Sequence, residues 1–199
     1  MSRRKPQAAD AFMAELEADP EWRATEAERE ARLAEQEKAY AEAEAPLRAA
    51  LSEAGLEVES VWDLVNRDDD GYADVVPVLV EHLQDESYPD CVREGIARSL
   101  SFRKAAPAWP VIVGLYRSTT DSFDLQQGLA AAMAGTVTDE TVDELVAEAR
   151  RPEHGESRLL LLLGLRRLRT PAARQALEGL LDDPDLGDNA AKHLKGRRS

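Results

Sequence analysis

The stretch ADVVPVLVEHL at 73–83 has three counterparts further along the chain, PAWPVIVGLY at 107–116, TVDELVAEA at 141–149 and ARQALEGLL at 173–181. Aligning the four places one aliphatic residue at the centre of each, with spacings of 33, 33 and 32 residues: Leu79, Ile112, Leu145 and Leu177. One helical turn later the same register holds Leu83, Tyr116, Ala149 and Leu181. A period of this length indicates a repeat built from two-helix units.

A second amphipathic stretch follows each of the four after a short polar turn, and these stretches lie at 91–100, 125–133, 159–168 and 190–194. Small residues recur within them: Ala97 and Ala130 are 33 residues apart, and Gly164 is one residue off the same period. We expect these positions to let paired helices approach closely. Runs of β-branched residues with period-two alternation are absent from the sequence, so it does not predict a sheet.

The unit resembles the HEAT-repeat family of α-solenoids, most clearly in PVLVEHL at 77–83 followed by VREGIARSL at 92–100. The resemblance covers about 72–195 and implies an all-α, right-handed α-α superhelix of about four two-helix units. We expect helices within 46–70 to cap one end, with Trp62, Leu64 and Val65 buried. The resemblance also implies that the second helices line a groove, whose outward residues would be Arg93, Glu94, Arg98, Gln126, Gln127 and Arg158.

The N-terminal segment 1–45 predicts a charged helical arm, distinct from a repeat domain at 46–199. Asp19 and Pro20 are typical of a helix start, and strong helix formers continue from there to Ala45, which predicts a helix of about 26 residues. Leu33, Tyr40 and Leu47 form a narrow stripe seven residues apart, too sparse for a two-chain coiled coil. The stripe suits either a solvated helix leaning on its own domain or an arm that binds a partner or itself.

Composition narrows the function classes. Lys and Arg total 25 against 39 Asp and Glu, a formal net charge of −14, and between Asp10 and Ala45 twelve acidic residues face four basic ones. Such acidity disfavours nucleic acid, whose binding depends on phosphate neutralisation, and it favours a basic protein partner. One Cys and three separated His residues predict no metal site and no cofactor, and the lack of a long apolar run predicts a cytoplasmic protein without membrane contact.

The segment 66–74 places oxygen-bearing side chains and Gly71 at the spacing of a calcium loop. Its twelfth position is Pro77, which has no ligand atom where a bidentate Glu is needed. We therefore expect a polar loop that leads into a helix rather than a calcium site.

A basic run in the third unit begins at Arg166 and Arg167 and continues with Arg169 and Arg174, with Arg150 and Arg151 upstream. These cations suit solvated helix faces paired with neighbouring Glu residues. They also suit a patch that binds an anion or an acidic partner, for which the acidic N-terminal helix is itself a candidate.

We expect a non-enzymatic protein–protein interaction module or adaptor, since the sequence contains no catalytic signature. A sharper form of this hypothesis is an inhibitor or immunity-type protein that neutralises a basic partner. The alternative is a HEAT-like DNA-binding or DNA glycosylase-type protein, which would require many Lys and Arg residues on the second helices and a buried acid.

Overall fold

The computed structural model describes Met13 and residues 18–67 and 71–196, and it is all-helical over that part of the chain. Eleven α-helices are present within these ranges: α1 Pro20–Ala43, α2 Ala45–Glu53, α3 Trp62–Val65, α4 Val76–Gln84, α5 Asp90–Ser99, α6 Trp109–Ser118, α7 Phe123–Thr136, α8 Val142–Ala149, α9 Arg158–Leu168, α10 Pro171–Glu178 and α11 Gly187–Lys195. Three 3₁₀ segments connect some of them: η1 Ala73–Val75, η2 Arg103–Ala108 and η3 Pro152–Ser157. No strand occurs in the described ranges, so the predicted all-α fold class is confirmed there.

The chain divides into two compact units between Glu42 and Ala43, three residues before the predicted boundary at 45/46. The first unit contains α1, a helix of 24 residues in which no residue is buried. Asp19 begins it as expected, because its carboxylate accepts a hydrogen bond from the Glu21 backbone N–H at 2.9 Å.

In the second unit the helices pair in sequence order, and the second member of each pair packs against the second member of the next. Contacts join α4 to α5, α6 to α7, α8 to α9 and α10 to α11, while α3, α5, α7, α9 and α11 touch in series. Helix α7 lies in the middle of this series, between α5 and α9. The described second unit therefore contains four helix pairs preceded by α2 and α3.

One aliphatic core runs through these pairs. The four central residues of the repeat, Leu79, Ile112, Leu145 and Leu177, are all fully buried in a single apolar cluster. Leu83, Tyr116 and Ala149 are equally buried, but the fourth member of their register, Leu181, is 43 % exposed. Helix α10 ends at Glu178, so the chain turns early and Leu180 enters the core in place of Leu181.

Close packing between second helices occurs at glycines and alanines. Ala97 and Ala130 are fully buried, and a Cβ on Gly164 would lie 2.9 Å from the Ala134 Cα of α7. On Gly128, a Cβ would lie 2.9 Å from the Glu94 carbonyl oxygen of α5. The expectation that small residues permit a close approach is confirmed at these positions.

The N-terminal cap of the second unit is built around Ser60 and Asp63. The Asp63 carboxylate accepts the Ser60 backbone N–H at 3.0 Å, while Ser60 Oγ accepts the Trp62 N–H at 3.3 Å. Leu64 is buried as predicted, but Trp62 is 36 % exposed. Helix α3 is a single turn, and its first residue lies beside the core rather than inside it.

Candidate functional site

A groove of about 870 Å³ opens on the second unit between α7, α9 and α11 and the turn that joins α9 to α10. Its walls are formed by Ser101, Ala131, Ala134, Gly135, Leu160, Leu163, Arg166, Arg167, Arg169, Thr170, Pro171, Arg174, Lys192, His193 and Gly196. Five of these are Arg or Lys, one is His, and none is acidic. A chain with a net charge of −14 thus carries a strongly cationic groove on its second helices.

Helix ends determine where the cations lie. Arg166 and Arg167 occupy the last turn of α9, and Lys192 and His193 occupy the last turn of α11. A positive side chain is favoured at a helix C-terminus, since the backbone carbonyls there carry partial negative charge. Arg174 lies on α10, where its guanidinium pairs with Glu178 at 2.9 Å, so its charge is partly compensated.

Arg169 lies in the groove wall with an unusual backbone. It ends α9 in the left-handed region, with φ 53° and ψ 20°. Among the described residues it is the only non-glycine with a positive φ. Helices commonly end with a glycine in this conformation, because a Cβ is disfavoured there. Arginine at this position keeps a cation in the wall at some cost to backbone energy.

Burial and neighbouring positive charges lower the pKa values of two groove residues, Arg167 and His193. Burial is the main reason that the pKa of Arg167 falls below its usual value, and the positive charge of Arg103 lowers it further. The pKa of His193 is likewise lowered, first by burial and then by Arg166 and Lys192. Arg167 donates a hydrogen bond to the Gly135 carbonyl, a neutral acceptor. An anion in the groove would relieve this repulsion.

The groove floor is aliphatic. Leu163 on α9 is 40 % exposed, and Leu160, one turn earlier, is half-buried; Ala131 and Ala134 of α7 lie opposite. Five consecutive leucines, 159–163, supply more apolar side chains than one buried helix face can cover. The surplus leucines therefore face the groove, next to the cations.

Of the eight predicted interface residues, Arg166 and Arg167 line the groove, whereas Arg93 and Arg158 are buried. The Arg93 guanidinium donates to the Leu83 carbonyl at 3.2 Å. That of Arg158 donates to the Ala149 carbonyl at 3.3 Å and pairs with two acids of the α10–α11 turn, Asp183 and Asp185. Placing Arg93 and Arg158 on an exposed surface was wrong, because their long side chains turn inward to satisfy helix-end carbonyls and loop carboxylates.

The other four predicted residues are also engaged within the fold. Glu94 and Arg98 form an ion pair of 2.7 Å along α5. The Gln126 amide donates to the Thr119 carbonyl at 3.1 Å and contacts the His154 ring at 3.2 Å, and Gln127 is half-buried. None of the four lines the groove.

A buried polar cluster ties α6, α7, α8 and η3 together. Glu148 is 1 % exposed, and its carboxylate accepts from Arg117 at 2.7 Å and from His154 Nε2 at 3.1 Å. With Nε2–H donating to Glu148, His154 Nδ1 is left to accept the Gln126 amide N–H. Because Arg117 and Gln126 belong to the second helix pair and Glu148 to the third, the cluster joins these two pairs.

Tyr116 joins the same cluster from α6. Its hydroxyl lies 2.7 Å from Ser157 Oγ, which itself donates to the His154 carbonyl, so the phenol is the donor of the pair. Burial raises the pKa of Tyr116 to about 12, and the phenol stays protonated at neutral pH.

The basic residues of the third repeat therefore separate into two groups, those that line the groove and those that make internal contacts. Arg151 pairs with Glu148 at 3.4 Å, and Arg150 donates to the Gly179 carbonyl at 3.4 Å, which places both among internal contacts. Lys192 and His193 are the groove residues that sequence reasoning missed. Both residues lie on the last of the second helices. The repeat predicts that each second helix packs beside the next, so α11 was expected to lie next to α9, as the contact between these two helices shows.

Among the described residues, no group of three or more His, Cys, Asp or Glu side chains is arranged to hold a metal ion. Positions 68–70, which belong to the segment with the spacing of a calcium loop, lie outside the described residues. Among the described helices, none combines the length and the apolar character needed to cross a bilayer. In comparisons with known proteins, no family model, no curated protein and no solved structure matches the chain.

Proposed function

We propose that the chain is a non-enzymatic protein-interaction module of HEAT-like type, and that the cationic groove holds an acidic segment of its partner. Support for the repeat comes from the serial contacts of α3, α5, α7, α9 and α11 and from the buried aliphatic residues at intervals of 32 or 33. In a right-handed superhelix of such pairs, second helices form a continuous surface on which a partner can lie.

The observation that carries the proposal is the groove lining: five Arg or Lys side chains and one His, with no carboxylate among them. Arg169 and Lys192 lie close together in a lining that contains no carboxylate, and like charges held near one another repel unless an anion joins them. Arginine, which supplies four of the five permanent charges, binds carboxylates through two parallel hydrogen bonds. The groove thus favours an acidic partner, whereas the expectation of a basic partner depends on the acidic N-terminal segment.

The test is binding of a fluorescent 20-residue polyglutamate to the full chain, measured by anisotropy at low and moderate salt. We expect binding that weakens as salt rises and that falls about five- to tenfold in the double variant Arg169→Gln/Lys192→Gln. Lys38→Gln, which removes an exposed cation of α1, is the control and should leave affinity unchanged. Equal binding by all three proteins, or none by any, would refute the proposal.

Two further probes separate the competing functions. A short DNA duplex tests the DNA-binding alternative, which the same cations support; duplex binding that exceeds polyglutamate binding and depends on Arg169 and Lys192 would favour it. The groove lining lacks the acid that a glycosylase requires. Polylysine tests the inhibitor hypothesis, and we expect any polylysine binding to be insensitive to the groove substitutions.

A further inference from the structure

The groove combines two kinds of surface that seldom suit the same ligand. Leu160 and Leu163 present aliphatic side chains three residues apart along α9, while Arg166, Arg167 and Lys192 present positive charge beside them. Among the described residues that line the groove, none is Phe, Tyr or Trp. Nucleotides and single-stranded nucleic acids gain much of their affinity by stacking on such rings, so this lining suits them poorly.

A small inorganic anion fits the groove poorly for a different reason. It would engage the guanidinium groups but leave Leu163, 40 % exposed, in contact with water. An uncharged aliphatic ligand would cover Leu163 but would bring no negative charge to Arg169 and Lys192, which lie in a lining without a carboxylate. The ligand that satisfies both surfaces has a row of aliphatic groups with carboxylates along its flank.

We propose that the groove binds an amphipathic acidic helix of a partner protein, with aliphatic side chains at i, i+3 or i+4 on Leu160 and Leu163 and Asp or Glu side chains against Arg166, Arg167 and Lys192. A helix projects aliphatic residues along one stripe and acidic residues beside it, which is how partner helices commonly enter apolar grooves. This inference rests on the proposed function of the groove and specifies its ligand.

The experiment compares two 18-residue fluorescent peptides of identical composition, made of Leu, Glu and Gln. One places Leu in a helical i, i+3, i+4, i+7 stripe, and the other scrambles the stripe. We expect the full chain to bind the striped peptide at least about tenfold more tightly, because only that peptide covers the leucines while its carboxylates meet the cations. Circular dichroism should show the striped peptide gaining helix on binding.

Two leucines of similar exposure provide a matched pair of variants. Leu163 is 40 % exposed and lines the groove, whereas Leu181 is 43 % exposed and does not. Leu163→Ser should weaken the striped peptide about tenfold and leave polyglutamate binding unchanged, while Leu181→Ser should affect neither. Because both positions are exposed, both variants are expected to fold.

The outcomes distinguish the two proposals. Equal affinity for striped and scrambled peptides, with both dependent on Arg169 and Lys192, would overturn the helix inference and leave the acidic-partner function standing. Binding of no acidic probe would overturn both. A dimer of the protein alone that Leu163→Ser dissociates would show a second copy in the groove and would also overturn the inference of a partner helix.

Discussion

A matched pair of glycine substitutions tests the close stacking of second helices on which the groove depends. Gly135 lies near the end of α7, and a Cβ there would fall 2.2 Å from the Ser101 carbonyl carbon and 2.3 Å from its Cα. A Cβ on Gly114, in the middle of α6, would have no atom within 4 Å apart from those of its chain neighbours and its own helix backbone. Alanine is therefore accommodated at one site and excluded at the other.

The expected free energies follow from these distances. Gly114→Ala should raise the free energy of unfolding by about 0.5–1 kcal/mol, since alanine is the better helix former. Gly135→Ala must move α7 and the Ser101 backbone apart by at least about 1.2 Å to reach ordinary contact distance. That segment is also held by the Ser101 hydroxyl, which donates to the Ala131 carbonyl at 2.7 Å. Overpacking of this kind costs about 1–3 kcal/mol or more, so we expect a net loss of about 2 kcal/mol.

Urea unfolding followed by circular dichroism measures both changes, and thermal unfolding provides a second reading. Gly135→Ala should lower Tm by roughly 4–8 °C, and Gly114→Ala should raise it by about 1–4 °C, at roughly 2–4 °C per kcal/mol for a chain of this size. If the two variants differ by less than about 0.5 kcal/mol, the close contact between α7 and Ser101 does not exist in solution and the stacking argument fails.

Three further predictions concern the buried cluster and the groove. Glu148→Gln should lower the free energy of unfolding, measured in urea, by about 2–4 kcal/mol, because the Glu148 side chain is 1 % exposed and charge-paired. Glu144→Gln, at a half-exposed site, should lower it by less than about 1 kcal/mol. Equal losses in the two variants would contradict the cluster's role. Arg169→Gly should raise stability by about 1 kcal/mol while weakening acidic-peptide binding, and a loss of stability would refute the left-handed backbone. The pKa of His193 is lowered in the free protein, so an acidic ligand that favours its charged form should bind more tightly at pH 5.5 than at pH 7.5; a His193→Gln variant that keeps this pH dependence would refute the assignment.

The lowered pKa of His193 also has a consequence for stability. Both states of the protein hold His193 neutral well above its ordinary pKa of 6.5, so no difference arises there. As pH falls through that value, the unfolded chain takes up the proton before the folded one does. This group therefore makes the folded protein less stable as pH decreases toward its lowered pKa, and a bound acidic ligand should reverse the trend.

Periodicity in the sequence was sufficient to predict the core, because burial at Leu79, Ile112, Leu145 and Leu177 depends only on helix period and unit length. It failed at Leu181, where α10 ends before the register can continue. The length of α10 decides whether residue 181 is buried, and the spacing of the repeat does not predict where that helix ends. Burial of Trp62 was wrong for a similar reason, since α3 provides one turn and too little neighbouring surface to cover an indole.

The candidate site was less predictable from the sequence. Helix register predicts the face of a helix on which a residue lies, but a long charged side chain can turn back from that face. Arg158 begins α9 and reaches backward to the Ala149 carbonyl and across to Asp183 and Asp185. Arg166 is two turns further along α9, yet it borders the groove. The partners of Arg158 lie in other elements of the fold, and residue spacing along α9 does not contain their positions.

Three unfavourable features meet at the end of α9, and their coincidence carries the argument for a binding site. Leu163 is exposed, burial and neighbouring positive charges lower the pKa values of Arg167 and His193, and Arg169 has a backbone conformation that glycine adopts more easily. At the other described positions with positive φ the chain uses glycine, Gly55 and Gly155. Arginine at position 169 instead places an exposed cation in the groove wall. Local rules of folding are commonly broken where a protein meets its ligand, and one acidic, aliphatic partner segment would compensate the exposed leucine and the crowded charges together.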